Sequence, residues 1–188
     1  HTLLLPIPQN FSFRSTLISH GWSQLLPFEL NRENWTLATV IVVEKPYFIR
    51  VSELQNNLQI ESFDKTTAQT QAEILRQVSH IFRLDEDLSK FYKLTKSEKH
   101  LAWIAKQKAG RLLRSATIYE DLVKTICTTN CSWALTKIMV KNLVEKLGEG
   151  SPNGKKSFPN ADAMAQMSVE FYQKEIRAWY RSEYLKEL

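Results

Sequence analysis

The spacing of the apolar residues changes once along the chain, near residue 65, and that change constrains the fold more than any other feature. Before it, three β-rich runs cover 36–43, 47–52 and 58–63. In the second, Ile49 and Val51 alternate with Phe48 and Arg50; in the third, Leu58 and Ile60 alternate with Gln59 and Glu61. A period of two belongs to a strand with one face buried and one solvated. The breaks "EKP" and "ELQNN" have hairpin lengths, so the runs are expected to pair antiparallel. Upstream, "TLLLPI" is a short apolar run ended by Pro6 and Pro8, and Asn10 or Ser12 can cap a short helix that stops at Gly21.

After residue 65 the period is helical. Ala72, Leu75, Val78 and Phe82 mark one helix. Shorter ones are expected over 84–92 and 97–108, with Ser97 and Glu98 opening the latter. A loop rich in glycine and proline, "GEGSPNGKKSFP" (148–159), precedes helices over 162–167, 169–179 and 182–188. The reading is α+β: an antiparallel β domain with one short helix over 1–65, then an all-α domain over 66–188.

One stretch interrupts the helical part. "ICTTNCSWA" (126–134) lies between Ile118, Leu122 and Ile126 on one side and Leu135, Ile138, Met139, Leu143 and Leu147 on the other, all at helical spacing. Thr128, Thr129, Asn130 and Ser132 are poor helix-interior residues and good caps, because their side chains compete for nearby backbone groups. The stretch therefore reads as a helix end, a tight turn and a new N-terminus capped by Asn130 or Ser132. Cys127 and Cys131 are the only cysteines, and the four histidines lie elsewhere without a spaced pair, so no metal site and no cofactor is expected. Cys127 is expected to be buried and not bonded to Cys131. Glu120 and Asp121 fall in a first helical turn, where the helix dipole accounts for them.

Charge is unevenly distributed. The net charge is +5, but residues 1–80 carry −1 and residues 81–188 carry +6, which points the helical part towards a polyanion. No apolar run approaches the roughly 20 residues of a membrane span, and no secretion signal is apparent, so an intracellular protein without a membrane partner is expected. There is no glycine-rich phosphate loop, no GxSxG and no HExxH.

The segment "GRLLRSATIYEDLVKTICTTNCSWALTKIMVKNLVEKLG" (110–148) resembles the opening of the helix-hairpin-helix DNA glycosylase domain, the superfamily of 8-oxoguanine and AlkA-like 3-methyladenine DNA glycosylases. The resemblance extends to "FPNADAMA" (158–165) and to "RAWYRSEYL" (177–185), where the family has Gly-Tyr-Arg. It implies a TBP-like β domain ahead of a partial helix-hairpin-helix domain. It also implies base-excision repair by a glycosylase, with or without lyase activity, that flips and excises a damaged purine from double-stranded DNA. The protein would act as a monomer in the compartment that holds DNA. The resemblance assigns DNA contacts to Asn130, which would fill the space left by the extruded nucleotide, to Tyr180, which would wedge beside the orphaned base, and to Arg181, which would contact that base. Two positions depart from the family: Trp179 stands where it has Gly, and Leu135 where 8-oxoguanine glycosylases often carry Arg. The family's hairpin, its Lys and its catalytic Asp follow the Gly-Tyr-Arg stretch. They are therefore expected after Leu188, and no catalytic residue is expected in these 188 residues. The sequence is expected to be an inactive fragment of a longer enzyme; the alternative is a non-catalytic DNA-binding or adaptor module on the same scaffold.

Overall fold

Five strands form one antiparallel sheet in the order β1-β5-β4-β3-β2 in the computed structural model, which describes residues 1–188. They are β1 (Thr2–Pro6), β2 (Glu29–Asn31), β3 (Thr36–Val42), β4 (Pro46–Leu54) and β5 (Asn57–Ser62). The register sets Val40 opposite Phe48 and Val51 opposite Ile60. Its prolines stand where a missing N–H is tolerated: Pro6 ends an edge strand, and Pro46 opens β4. The strand pattern of 36–63 is as the alternation predicts. The three-residue β2 has too few residues for a period to register.

One face of the sheet buries Leu37, Tyr47, Ile49, Val51, Leu58 and Ile60 against α1 (Phe13–Leu17) and α2 (Ala68–Phe82), which contribute Phe13, Leu17, Ile74, Val78, Ile81 and Phe82. Ser12, not Asn10, caps α1, and Thr67 caps α2 by accepting the amide of Thr70. The second face is not uniformly solvated. Arg50 and Glu61 pair in the open at 3.4 Å, but Ala38, Val40 and Phe48 form a small buried cluster. Clefts between this face and the helical part are lined by Val40 and Phe48 opposite Val144 and Lys155, and by Val42 opposite Phe158 and Pro159. Lys155 closes one cleft with an ion pair to Glu29 at 2.6 Å. Alternation at single residues could not reveal this cover, which comes from far along the chain.

Two expected helices are displaced. The segments are α3 (Ser89–Ser97) and α4 (Ala102–Lys106), so Ser97 ends a helix where it was expected to open one. Its hydroxyl donates back to the carbonyl of Leu94 at 2.8 Å, the local bond that lets serine compete with helical pairing. Asp87 supplies the missing start signal by accepting the amide of Ser89 at 2.9 Å.

The remaining helices are α5 (Ile118–Thr128), α6 (Trp133–Leu147), α7 (Ala161–Ala165), α8 (Val169–Phe171) and α9 (Arg181–Glu187). Val123, Cys127, Met139, Val140, Leu143, Met164, Tyr172, Ile176 and Leu185 make their core, together with Leu25 from the segment between α1 and β2. Burial pushes the Cys127 thiol up to about 12, so it is an inert packing group.

A charged pair lies where the two cores meet. Lys124 is fully buried, and its ammonium donates to Glu120 at 2.6 Å and to Ser115 Oγ at 3.2 Å. It sits 4.9 Å from the ring centre of Phe28 and 5.7 Å from that of Phe158. Burial pushes the Glu120 carboxyl up, against the pull of Lys124. The dipole explanation for Glu120 and Asp121 is therefore incomplete: Glu120 is the counterion of a buried lysine. Asp121 accepts Trp22 Nε1 at 2.7 Å and the amide of Ser115 at 3.0 Å.

Removing one member of such a pair strands the other. Glu120→Leu is expected to cost about 3 kcal/mol, while Glu120→Leu with Lys124→Met recovers most of that loss. Urea unfolding of the two single variants and the double variant measures the coupling, and additive losses would show that the pair is not the unit described here.

Candidate nucleic-acid interface

The polar stretch at 126–134 is a turn, built residue by residue. Thr128 and Thr129 donate their hydroxyls to the carbonyls of Thr125 and Ile126, at 2.7 and 2.8 Å, and so end α5. Ser132 caps α6 by accepting the amide of Leu135 at 3.3 Å. Thr136 reaches back to the carbonyl of Cys127 at 3.0 Å and fixes the angle between the helices. Asn130 is left at the apex, exposed and with φ of 48°, the left-handed conformation that asparagine tolerates better than most residues. Capping is thus done by its neighbours. The two cysteines are free, Cys127 buried and Cys131 half-buried.

The second piece of the surface comes from 172–181, most of which falls within the helix expected over 169–179. The chain instead makes a wide turn over Tyr172–Ile176, and the amide of Ala178 bonds to the carbonyl of Tyr172 at 2.9 Å. Arg177 and Trp179 both have positive φ, 67° and 54°, on either side of the fully buried Ala178. Ala178, whose methyl group has no rotamer to change, is the pivot between them. Arg181 then starts α9.

Thr129 joins the two pieces. Tyr180 donates its hydroxyl to the Thr129 carbonyl at 3.3 Å. Arg181 donates Nε to Thr129 Oγ1 at 3.2 Å and its terminal nitrogen to the same carbonyl. The Arg181 guanidinium also lies 4.4 Å from the centre of the Tyr180 ring.

Sequence reasoning named Asn130, Tyr180 and Arg181, and they do not share one environment. Asn130 and Tyr180 are exposed at the surface. Arg181 is only 2% exposed, and its donors face Thr129, so it braces the turn from beneath instead of presenting itself to a ligand. Trp179, noticed in the sequence only as a departure from the family, is 72% exposed beside them. Leu188 takes no part in the contacts around Thr129. It is an exposed residue at the far end of α9, where its amide donates to the carbonyl of Tyr184 at 3.2 Å. The basic excess has its own location: Lys90, Lys93, Lys96, Lys99, Lys106 and Lys108 surround α3 and α4 with Glu98 as the one acidic residue of 88–108.

If Arg181 braces the turn, Arg181→Met keeps the packing and loses the donors. The expected result is a global loss of roughly 1–2 kcal/mol, with amide exchange at 129–132 rising more than elsewhere. Unchanged exchange in the turn would remove Arg181 from this role.

No protein-family sequence model matches the chain, and no curated protein matches it by sequence. Solved structures do. The 3-methyladenine DNA glycosylase of Archaeoglobus fulgidus superposes with a TM-score of 0.78 at 14% identity, covering 98% of this chain and 65% of its own. The apo 8-oxoguanine glycosylase/lyase of Clostridium acetobutylicum gives 0.74 at 20% identity, over 98% of this chain and 61% of that one. The same enzyme, in complex with double-stranded DNA that contains cytosine opposite 8-oxoguanine, gives 0.70 at 21% identity over 94% and 57%. The chain spans less than two thirds of the length of these structures. Over nearly its whole length it has the fold of the 3-methyladenine and 8-oxoguanine DNA glycosylases, the superfamily that its motifs resemble.

Proposed function

We propose that this chain is the β domain and first helical portion of a base-excision repair DNA glycosylase, which extrudes a damaged purine from double-stranded DNA and excises it. Residues 1–65 would buttress the assembly, and residues 66–188 would carry the DNA-facing surface. The observation that carries the reading is the Asn130 turn: an exposed amide at a left-handed apex, freed from capping by Ser132, with Tyr180 held beside it. A carboxamide at such a tip can enter the space that an extruded nucleotide vacates and hydrogen-bond to base edges. The glycosylase fold of the solved relatives supports the same reading, as does the excess of lysine in the helical part.

Excision builds positive charge on the sugar, which needs a carboxylate to stabilise it or an amine to capture it. Glu120 is committed to Lys124, and Glu175 pairs with Lys146 at 2.7 Å. Within the proposal these 188 residues bind and distort DNA but do not cut the glycosidic bond; the group that cuts it would be supplied by chain beyond Leu188. No helix is long and apolar enough to cross a membrane.

Two measurements test this. Duplex affinity should fall roughly tenfold or more between about 50 and about 200 mM salt, and Asn130→Ala should weaken preference for an abasic-site duplex more than it weakens general binding, because phosphate contacts position and base contacts specify. Salt-independent binding, or equal losses on both duplexes, would falsify the interface. Single-turnover assays on 8-oxoguanine and alkylated duplexes should show no base release by the 188-residue chain. Release that survives repurification and is abolished by a substitution within 1–188 would relocate the catalytic group into this chain.

A further inference from the structure

Trp179 is a tryptophan that the folded chain does not use. It is 72% exposed, so burial contributes little to holding it. Its φ of 54° is a conformation in which a bulky side chain is a genuine outlier and glycine is at ease. Strain of this kind persists where the surroundings enforce it, and it is found disproportionately at binding sites. Here the surroundings are the buried pivot Ala178 and the start of α9, with the amide of Ser182 bonded to the Trp179 carbonyl at 3.1 Å. The effect is to stand the indole out from the surface next to Tyr180. Tyr180 is differently placed: its hydroxyl is tied to the Thr129 carbonyl and its ring lies over the Arg181 guanidinium.

We infer that Trp179, not Tyr180, is the ring that inserts into the duplex and stacks on the base left unpaired opposite the extruded nucleotide, with Tyr180 and Arg181 as positioning residues for the Asn130 turn. The inference rests on the glycosylase reading above. An indole offers the largest stacking face of any side chain, and apolar or aromatic wedges that part base steps are a general means of kinking DNA. Stacking reads no base-edge pattern, so this wedge would tolerate any opposite base and discriminate a helix with a missing partner from an intact one.

The test uses the 188-residue chain and duplexes that carry 2-aminopurine opposite either an abasic-site analogue or a pairing partner. The wild type should prefer the abasic duplex and quench the 2-aminopurine. Trp179→Gly suits the backbone, so its melting temperature should hold or rise, while its preference for the abasic duplex falls about tenfold and the quenching disappears. Trp179→Phe should retain most of both. If Trp179→Gly keeps preference and quenching while Asn130→Ala loses preference, the inference is wrong and the glycosylase reading stands. A lower melting temperature for Trp179→Gly would make the indole a structural group and equally defeat the inference. If the wild type shows no preference, the underlying reading fails and takes the inference with it.

Discussion

A fully buried lysine can exist only where its charge is matched, and Lys124 organises the junction of the two cores around that requirement. Glu120 lies one turn earlier on the same helix, Ser115 takes a second hydrogen bond, and the rings of Phe28 and Phe158 face the ammonium. Phe28 comes from the segment before β2 and Phe158 from the loop before α7, so satisfying one ammonium brings together chain segments 130 residues apart in sequence. An apolar core could cover the same area, but it would not fix the approach of α5 to the sheet with comparable directionality. Gly148 adds a steric condition at this junction: a Cβ there would collide with the carbonyl of Ser157, so the loop that delivers Phe158 passes close only because that residue is glycine.

The proposed interface depends on this junction through α5. Its C-terminus delivers Thr129, whose carbonyl and hydroxyl are the common partners of Tyr180 and Arg181. Two segments, with Thr129 lying 51 residues before Tyr180 and 52 before Arg181, thereby share one residue, and displacement of α5 would move both. That arrangement suits a surface meant to enter a duplex, where the inserted groups must keep their relative positions while the nucleic acid is deformed.

What was legible in the sequence followed from local chemistry. The period-two runs gave β3, β4 and β5 because their residues pair with near neighbours in the chain, and the cluster of Thr, Asn and Ser marked the turn because capping is a contact over three or four residues. The covered outer face of the sheet was not legible, since Val40 and Phe48 are buried by residues about a hundred positions later. Glu120 and Lys124 stood at the spacing of a helical ion pair, yet nothing local told a buried pair from a solvated one. The resemblance gives Arg181 a base contact, but its burial has no local mark, because a guanidinium that meets a carbonyl from another segment reads in sequence like any surface charge. The break at 172–179 has no local mark either: "YQKEIRAW" contains no glycine or proline, yet Arg177 and Trp179 take left-handed conformations on either side of the buried Ala178.

The sheet side of the molecule is more than an appendage to the helices. Leu25 belongs to the helical core, Trp22 donates to Asp121, and Trp133 at the start of α6 donates Nε1 to Gln24 at 3.1 Å. Gly21 comes so close to the Trp133 ring that a Cβ would lie 3.1 Å from it, and its φ of 93° is glycine's own region. The segment 21–28 therefore holds the entry of α6 from outside while Ser132 caps it from within. Both helices that frame Asn130 are steadied by residues from the first thirty of the chain. A turn exposed on two sides, with only its own caps to hold it, would fray readily. The segment 21–28 supplies what the turn lacks: a second set of contacts to the helix ends, made by side chains that the helical part does not contain.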